Sequence, residues 1–234
     1  LIFVYIIGRN NALLHHTENG FVTQGMFLAY FICTLAVIQI WNFTTFYINL
    51  YGRNGTRDHV FLFLNMYLLY YIADGISVGW ETTFYRFNIA WILILVNIGV
   101  QHIIELKNHR QEAIESKQLK RKAAIILTEA SLVGVHMIVY TFTKLSIAYV
   151  PILFGIIATS LSGGLNAKNP VDFAHLSERA MLYVVFTFGE MIISIAAYFS
   201  DRVTFSGLYF SAMAFLIVVG LFLSYGTLYN KIID

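Results

Sequence analysis

The chain has 234 residues, 58% of them hydrophobic and only 12% charged, with a formal net charge of +2. Soluble domains are about 45–50% apolar and about 25% charged, so these values exclude a disordered chain, an ordinary solvated enzyme and a nucleic-acid binder, which needs a basic face. The single cysteine, Cys33, excludes a disulfide framework and cysteine-based zinc or iron–sulfur sites, which leaves an integral membrane protein.

A membrane-spanning helix needs about 20 apolar residues. Eight segments fit in chain order, near 1–14, 25–50, 59–78, 84–105, 123–143, 146–164, 178–199 and 204–231. The first opens directly on Leu1-Ile2-Phe3-Val4, with no charged stretch and cleavage site before it, so the chain is expected to be the ordered part of a longer protein. The second is longer than a bilayer requires and is expected to tilt or extend past the headgroups. No alternating runs of barrel strands occur. The pattern predicts an all-α, polytopic transmembrane bundle of about eight helices, with 1–234 as a single transmembrane domain. The polar stretch 107–122 is expected to be a cytoplasmic loop with helical tendency that joins two sub-bundles.

Basic residues orient the bundle. With the start of segment 1 inside, eleven of the fifteen Lys and Arg residues fall on the inner side, among them Arg53, Arg57, Lys107, Lys122 and Arg179. Three, Arg86, Lys144 and Arg202, fall outside, and Arg9 lies within a helix. Cytoplasmic loops carry such an excess.

Charged residues at membrane depth are costly and usually face the bundle interior. The candidates are Arg9, Asp74, Glu129, His136 and Glu190, with the amides Asn42, Asn49, Asn65 and Asn97. At ~1.5 Å per residue, Glu129 and Asn65 lie roughly 9 Å from the inner end of their helices and Asn42 and Asn97 roughly 12 Å. Glu190, His136 and Asp74 follow at roughly 18, 20 and 22 Å. Matched depths on several helices predict a shared hydrated cavity. Glu129 and His136 are seven residues apart, on one face of segment 5. His136 alone reads first as a hydrogen-bonded packing histidine. His102 and Glu105 are expected to pair at the inner end of segment 4. Arg9 is expected to meet an acid, Glu190 first, or a set of carbonyls. Asp172 or Ser177 is suited to cap the start of segment 7. No metalloprotease, phosphate-loop, dinucleotide or nucleophile-elbow motif is present, so no metal and no cofactor is expected. The expected partners are membrane lipids and a small-molecule substrate, not nucleic acid.

Three motifs carry a resemblance. His175-Leu176-Ser177-Glu178-Arg179 leads through Leu182 to Gly189-Glu190; Trp41 and Thr44-Thr45-Phe46-Tyr47-Ile48-Asn49 precede Asp58 and Asn65-Met66; and Leu1-Ile2-Phe3-Val4 opens the chain. In this order they resemble the bacterial low temperature requirement protein A family, over nearly the whole chain. Met191 stands where the family usually has Ser. The resemblance implies a multi-pass protein of the bacterial cell membrane and implies no reaction.

Three functions fit these readings. The first is a proton-coupled transporter or permease of a small molecule, built on a buried carboxylate. Its pathway residues would be Glu190, Arg179, Glu178, His175, Arg9, His136, Glu129, Asn42, Asn49 and Asn65. The second is an enzyme acting on a lipid or isoprenoid at the inner leaflet through His175, Glu178 and Arg179. The third is a structural accessory subunit.

Overall fold

The structure, a computed structural model, describes residues 2–15, 17–18, 21–53, 55–108, 113–162, 173–196 and 204–233. Its helices are α1 (Ile2–Asn11), α2 (Gln24–Tyr51), α3 (Thr56–Gly75), α4 (Trp80–Asn108), α5 (Ala113–Thr143), α6 (Tyr149–Ser162), α7 (Phe173–Ala196) and α8 (Phe205–Ile233). Each predicted segment is therefore a helix. A short 3₁₀ turn, Ala12–His15, follows α1, and two-residue strands, Thr17–Glu18 and Phe21–Val22, pair antiparallel ahead of α2. Period-two patterning over two residues is too short to read in a sequence.

Local chemistry sets the helix ends. The Thr23 hydroxyl accepts from the Met26 N–H and caps α2, satisfying one orphan donor of its first turn. Asp58 sits at the positive end of the α3 dipole. Beyond α5, Lys144 takes a φ of 60° and donates its N–H to the Tyr140 carbonyl, a left-handed helix stop usually made by glycine.

Among the described residues five helices, α2, α4, α5, α7 and α8, are long and apolar enough to cross a membrane. The 20 residues of α3 rise about 30 Å, also the thickness of a hydrocarbon core. The 14 residues of α6 rise only about 21 Å.

The chain divides into two compact units, 1–177 and 178–234. In the first, α4 is central and packs on α3, α5 and α2, while α6 packs on α5 and α2, and α1 on α3. Trp91, Ile94 and Ile98 of α4 are fully buried among Ile72, Ile40 and Val133. Gly75 lies so close to the Phe87 backbone that a methyl group there would stand 2.8 Å from Phe87 Cβ, which is how the end of α3 reaches α4. The outward faces are apolar as well: Phe63, Ile138, Phe142 and Leu161 are all more than half exposed, as helices in lipid require. In the second unit, Phe188 of α7 rests edge-on against Phe222 of α8.

The polar stretch 107–122 is largely helix. α4 runs through Asn108 and α5 begins at Ala113, with 109–112 outside the described residues. It joins two helices of the first unit and does not mark the division between units. The reason is that Gln118 and Leu119 are buried, so one face of this charged segment belongs to the interior.

Candidate functional site

Three helices each present a stripe of residues along one cavity and the layer next to it. On α2 the stripe is Gln39, Asn42, Phe43 and Phe46; on α5 it is Lys122, Ile125, Ile126 and Glu129; on α6 it is Gly155, Thr159 and Ser162. Spacings of three, four and seven keep each stripe on one helix face. A cavity of about 70 Å³ lies between them, lined by Asn42, Phe43, Phe46, Lys122, Ile125, Ile126, Thr159 and Ser162, with His102 of α4.

Gln39, Glu129 and Gly155 form the layer one turn further along each helix. Glu129 is 0% exposed, and its Oε2 accepts from Gln39 Nε2 at 3.1 Å. Its Oε1 has no partner among the described residues, nor does Gln39 Oε1. Gly155 makes the layer possible, because a β-carbon there would overlap both Gln39 Nε2 and Glu129 Oε2. Glu129 is thus a buried carboxyl group held by one neutral donor.

Above the cavity lies a charged cluster. Glu105, 0% exposed, accepts from Arg53 at 2.8 Å, Arg57 at 2.7 Å and Asn108 at 3.0 Å. Asp58 accepts from the Arg53 backbone N–H and lies 3.5 Å from Arg57 Nε. His102 does not take the pairing with Glu105 that their spacing suggested. Its Nδ1 donates to the Ile98 carbonyl at 2.9 Å, and its ring lies 4.9 Å from that of Tyr47. Lys122 makes no ion pair with any described residue.

The other polar residues serve other places. Asn97 donates to Asn65 Oδ1 at 2.8 Å and to the Phe61 carbonyl at 3.2 Å, a clasp between α3 and α4. His136 Nδ1 accepts from the Ile147 N–H at 3.2 Å, and its ring packs edge-on against Phe84. It holds the turn between α5 and α6. Arg9 meets carbonyls, donating to Ile76 at 3.1 Å and to Ala73 at 3.5 Å, where the last turn of α3 leaves orphan acceptors. It needs no acid. Asp74 pairs with Arg86, both well exposed. Asn49 lies on α2 two turns past Asn42. Within the first unit these residues form separate groupings, because residues at one depth still differ in the direction they face.

Comparison with known sequences decides the family. The family model for bacterial low temperature requirement A (LtrA) proteins matches residues 1–228. The chain belongs to the LtrA family. It is an integral membrane protein of that family, with a helical bundle. No curated protein and no solved structure matches it.

The LtrA-like motif of α7 begins earlier than the sequence suggested. α7 starts at Phe173, so His175, Glu178 and Arg179 occupy its first two turns; Asp172, one cap candidate, is outside the described residues. Glu178 is exposed, and His175, Arg179 and Glu190 are half-buried. The cleft between α7 and α8 is lined by Val185, Phe188, Gly189, Ile192, Phe215 and Phe222 with further apolar residues, and Glu190 is not among them. The second LtrA-like motif supplies Tyr47 and Asp58 beside Glu105, Phe46 in the cavity wall, and Asn65 in the α3–α4 clasp.

Sequence reasoning missed Gln39, Lys122, Gly155, Thr159 and Ser162. One signal was present: Lys122 and Glu129 are seven residues apart, the same spacing that linked Glu129 to His136.

Proposed function

We propose that this LtrA-family protein is a proton-coupled transporter of a small molecule and that Glu129 is the group that carries the proton. The observation behind this reading is the setting of Glu129: fully buried, held by one neutral donor, one turn from a cavity. A carboxyl group so placed is neutral while it holds a proton and costly once it loses it. It can release that proton only when its surroundings change, which is the requirement for coupling proton movement to a conformational cycle. Glu190, which the sequence favoured, is not among the residues that line the cleft between α7 and α8. The basic ends of the helices, with Arg53, Arg57, Lys117 and Lys122, support a bacterial cell-membrane protein with this end in the cytoplasm.

The test is purified protein in liposomes loaded with a pH-sensitive dye and offered a panel of small metabolites. Substrate-driven proton uptake is expected for the wild type and is lost in Glu129→Gln. Flux that survives Glu129→Gln but not Glu190→Gln would transfer the role to Glu190. Absence of proton movement with every substrate would end the transporter reading.

A further inference from the structure

We infer that the cavity between α2, α5 and α6 binds a single carboxylate group, with Lys122 as its counter-ion. The inference deepens the transporter reading by naming a substrate class, and rests on it only for the coupling to Glu129.

The first ground is charge. Lys122 is a half-buried cation on the cavity wall with no acid among the described residues to pair with it. Its neighbours at this end are already engaged: Arg53 and Arg57 on Glu105, and Arg121 on the Leu161 carbonyl at 3.4 Å. A cation half withdrawn from water on a cavity wall gives an anion there a charge-assisted partner. One available cation suits a monoanion; a phosphate monoester brings about two charges and calls for a second.

The second ground is hydrogen bonding. The Asn42 amide and the Thr159 hydroxyl line the same cavity from α2 and α6. Neither has a partner among the described residues, so both can donate to carboxylate oxygens. Ser162 donates its own hydroxyl to the Ala158 carbonyl at 2.7 Å, and His102 commits Nδ1 to Ile98. The third ground is size and polarity. About 70 Å³ matches two or three water molecules at ~30 Å³ each, room for a carboxylate head of three heavy atoms, and the cavity is not enclosed, so a tail can extend from its mouth. Phe43, Phe46 and Ile125 supply an apolar wall for that tail. One carboxylate accompanied by the proton of Glu129 would cross without net charge.

The acid can be a free short-chain carboxylate or the head of a fatty acid drawn from the bilayer. The experiment is isothermal titration of the purified protein in non-ionic detergent with sodium butanoate, sodium octanoate, inorganic phosphate and sodium chloride. Saturable butanoate binding is expected, weakened about tenfold or more by Lys122→Met, as for a lost charge-assisted hydrogen bond, and largely restored by Lys122→Arg. Binding of octanoate without butanoate, with the same loss in Lys122→Met, supports the site and assigns its ligand to the bilayer. If Lys122→Met loses its monodisperse elution, Thr159→Val carries the test, with weaker binding expected. Absence of both carboxylates, binding unchanged by these variants, or phosphate or chloride bound as tightly as either acid overturns the proposal. The two readings fail separately. Lys122-dependent carboxylate binding without proton flux keeps the site and removes the transporter; flux driven by another substrate, with no carboxylate bound, does the reverse.

Discussion

Gln39 of α2 donates its side-chain amide to Glu129 of α5 across 90 positions of sequence, at 3.1 Å and out of contact with solvent. The pair fits only because α6 passes it with Gly155, where any side chain would overlap both partners. Gly155→Ala is therefore expected to destabilise the protein by about 1–3 kcal/mol, the usual cost of forcing extra atoms into a packed interior. Adding Gln39→Ala should recover part of the loss by removing the closer of the two overlaps, the remainder being the overlap with Glu129 and the donor that Glu129 loses. Thermal melting in detergent checks this, and a double variant no more stable than the single one would show that the strain lies elsewhere.

Glu105 is buried, whereas Arg53 and Arg57 keep 59% and 35% of their side-chain surface exposed. Losing either arginine alone leaves the other in place, and an exposed partner contributes only ~0–1 kcal/mol. Losing both removes the two described cations of a buried carboxylate, the kind of change that costs about 3–5 kcal/mol. Arg53→Ala and Arg57→Ala should thus be mild singly and more than additive together, by denaturation of the two single variants and the double.

Arg9 closes the end of α3 through the carbonyls of Ala73 and Ile76. Arg9→Met should cost about 1.5–3 kcal/mol, the range for hydrogen bonds to a charged group. Hydrogen exchange should quicken at the end of α3 ahead of the rest of the bundle. Uniform protection in the variant would contradict the capping role.

His136 accepts the Ile147 N–H and so fixes the entry to α6. His136→Phe keeps a ring beside Phe84 but strands that donor, at an expected cost of about 1–3 kcal/mol. Carboxylate binding at Lys122 should be unchanged. A fall in binding equal to that of Lys122→Met, with no loss of stability, would place His136 in the site instead.

Cys33 is 0% exposed, so the native chain should be silent to thiol reagents. Lys117 and Ser146 are exposed near opposite ends of α5. In intact cells, an impermeant maleimide should label Ser146→Cys and leave Lys117→Cys unmodified. The reverse pattern would invert the proposed orientation.

The helices were legible because a bilayer offers the backbone no hydrogen-bonding solvent, so each spanning segment must be apolar and long enough to satisfy itself. Their ends were less legible. The start of α7 was read five residues late, since Phe173 to Ser177 include polar residues that look like loop. The extension of α5 back to Ala113 was hidden for the same reason, until Leu119 and Gln118 proved to be interior.

The site divides along another line. Composition and spacing alone determined that Glu129 and Asn42 sit at membrane depth and that Glu129 shares a helix face with residues seven positions away. They did not determine which helix that face meets. Asn65 and Asn42 look equivalent in sequence, yet one is clasped by Asn97 and the other lines the cavity. Arg9 and Lys122 are both cations inside helices, yet one reaches the open end of α3 and the other is left facing a void. Each helix's apolar surface is nearly continuous around its axis, so hydrophobicity gives no reason to rotate it one way or the other. Only packing against neighbours, through close approaches such as Gly155 and Gly75, selects that rotation and with it the partner of every buried polar group.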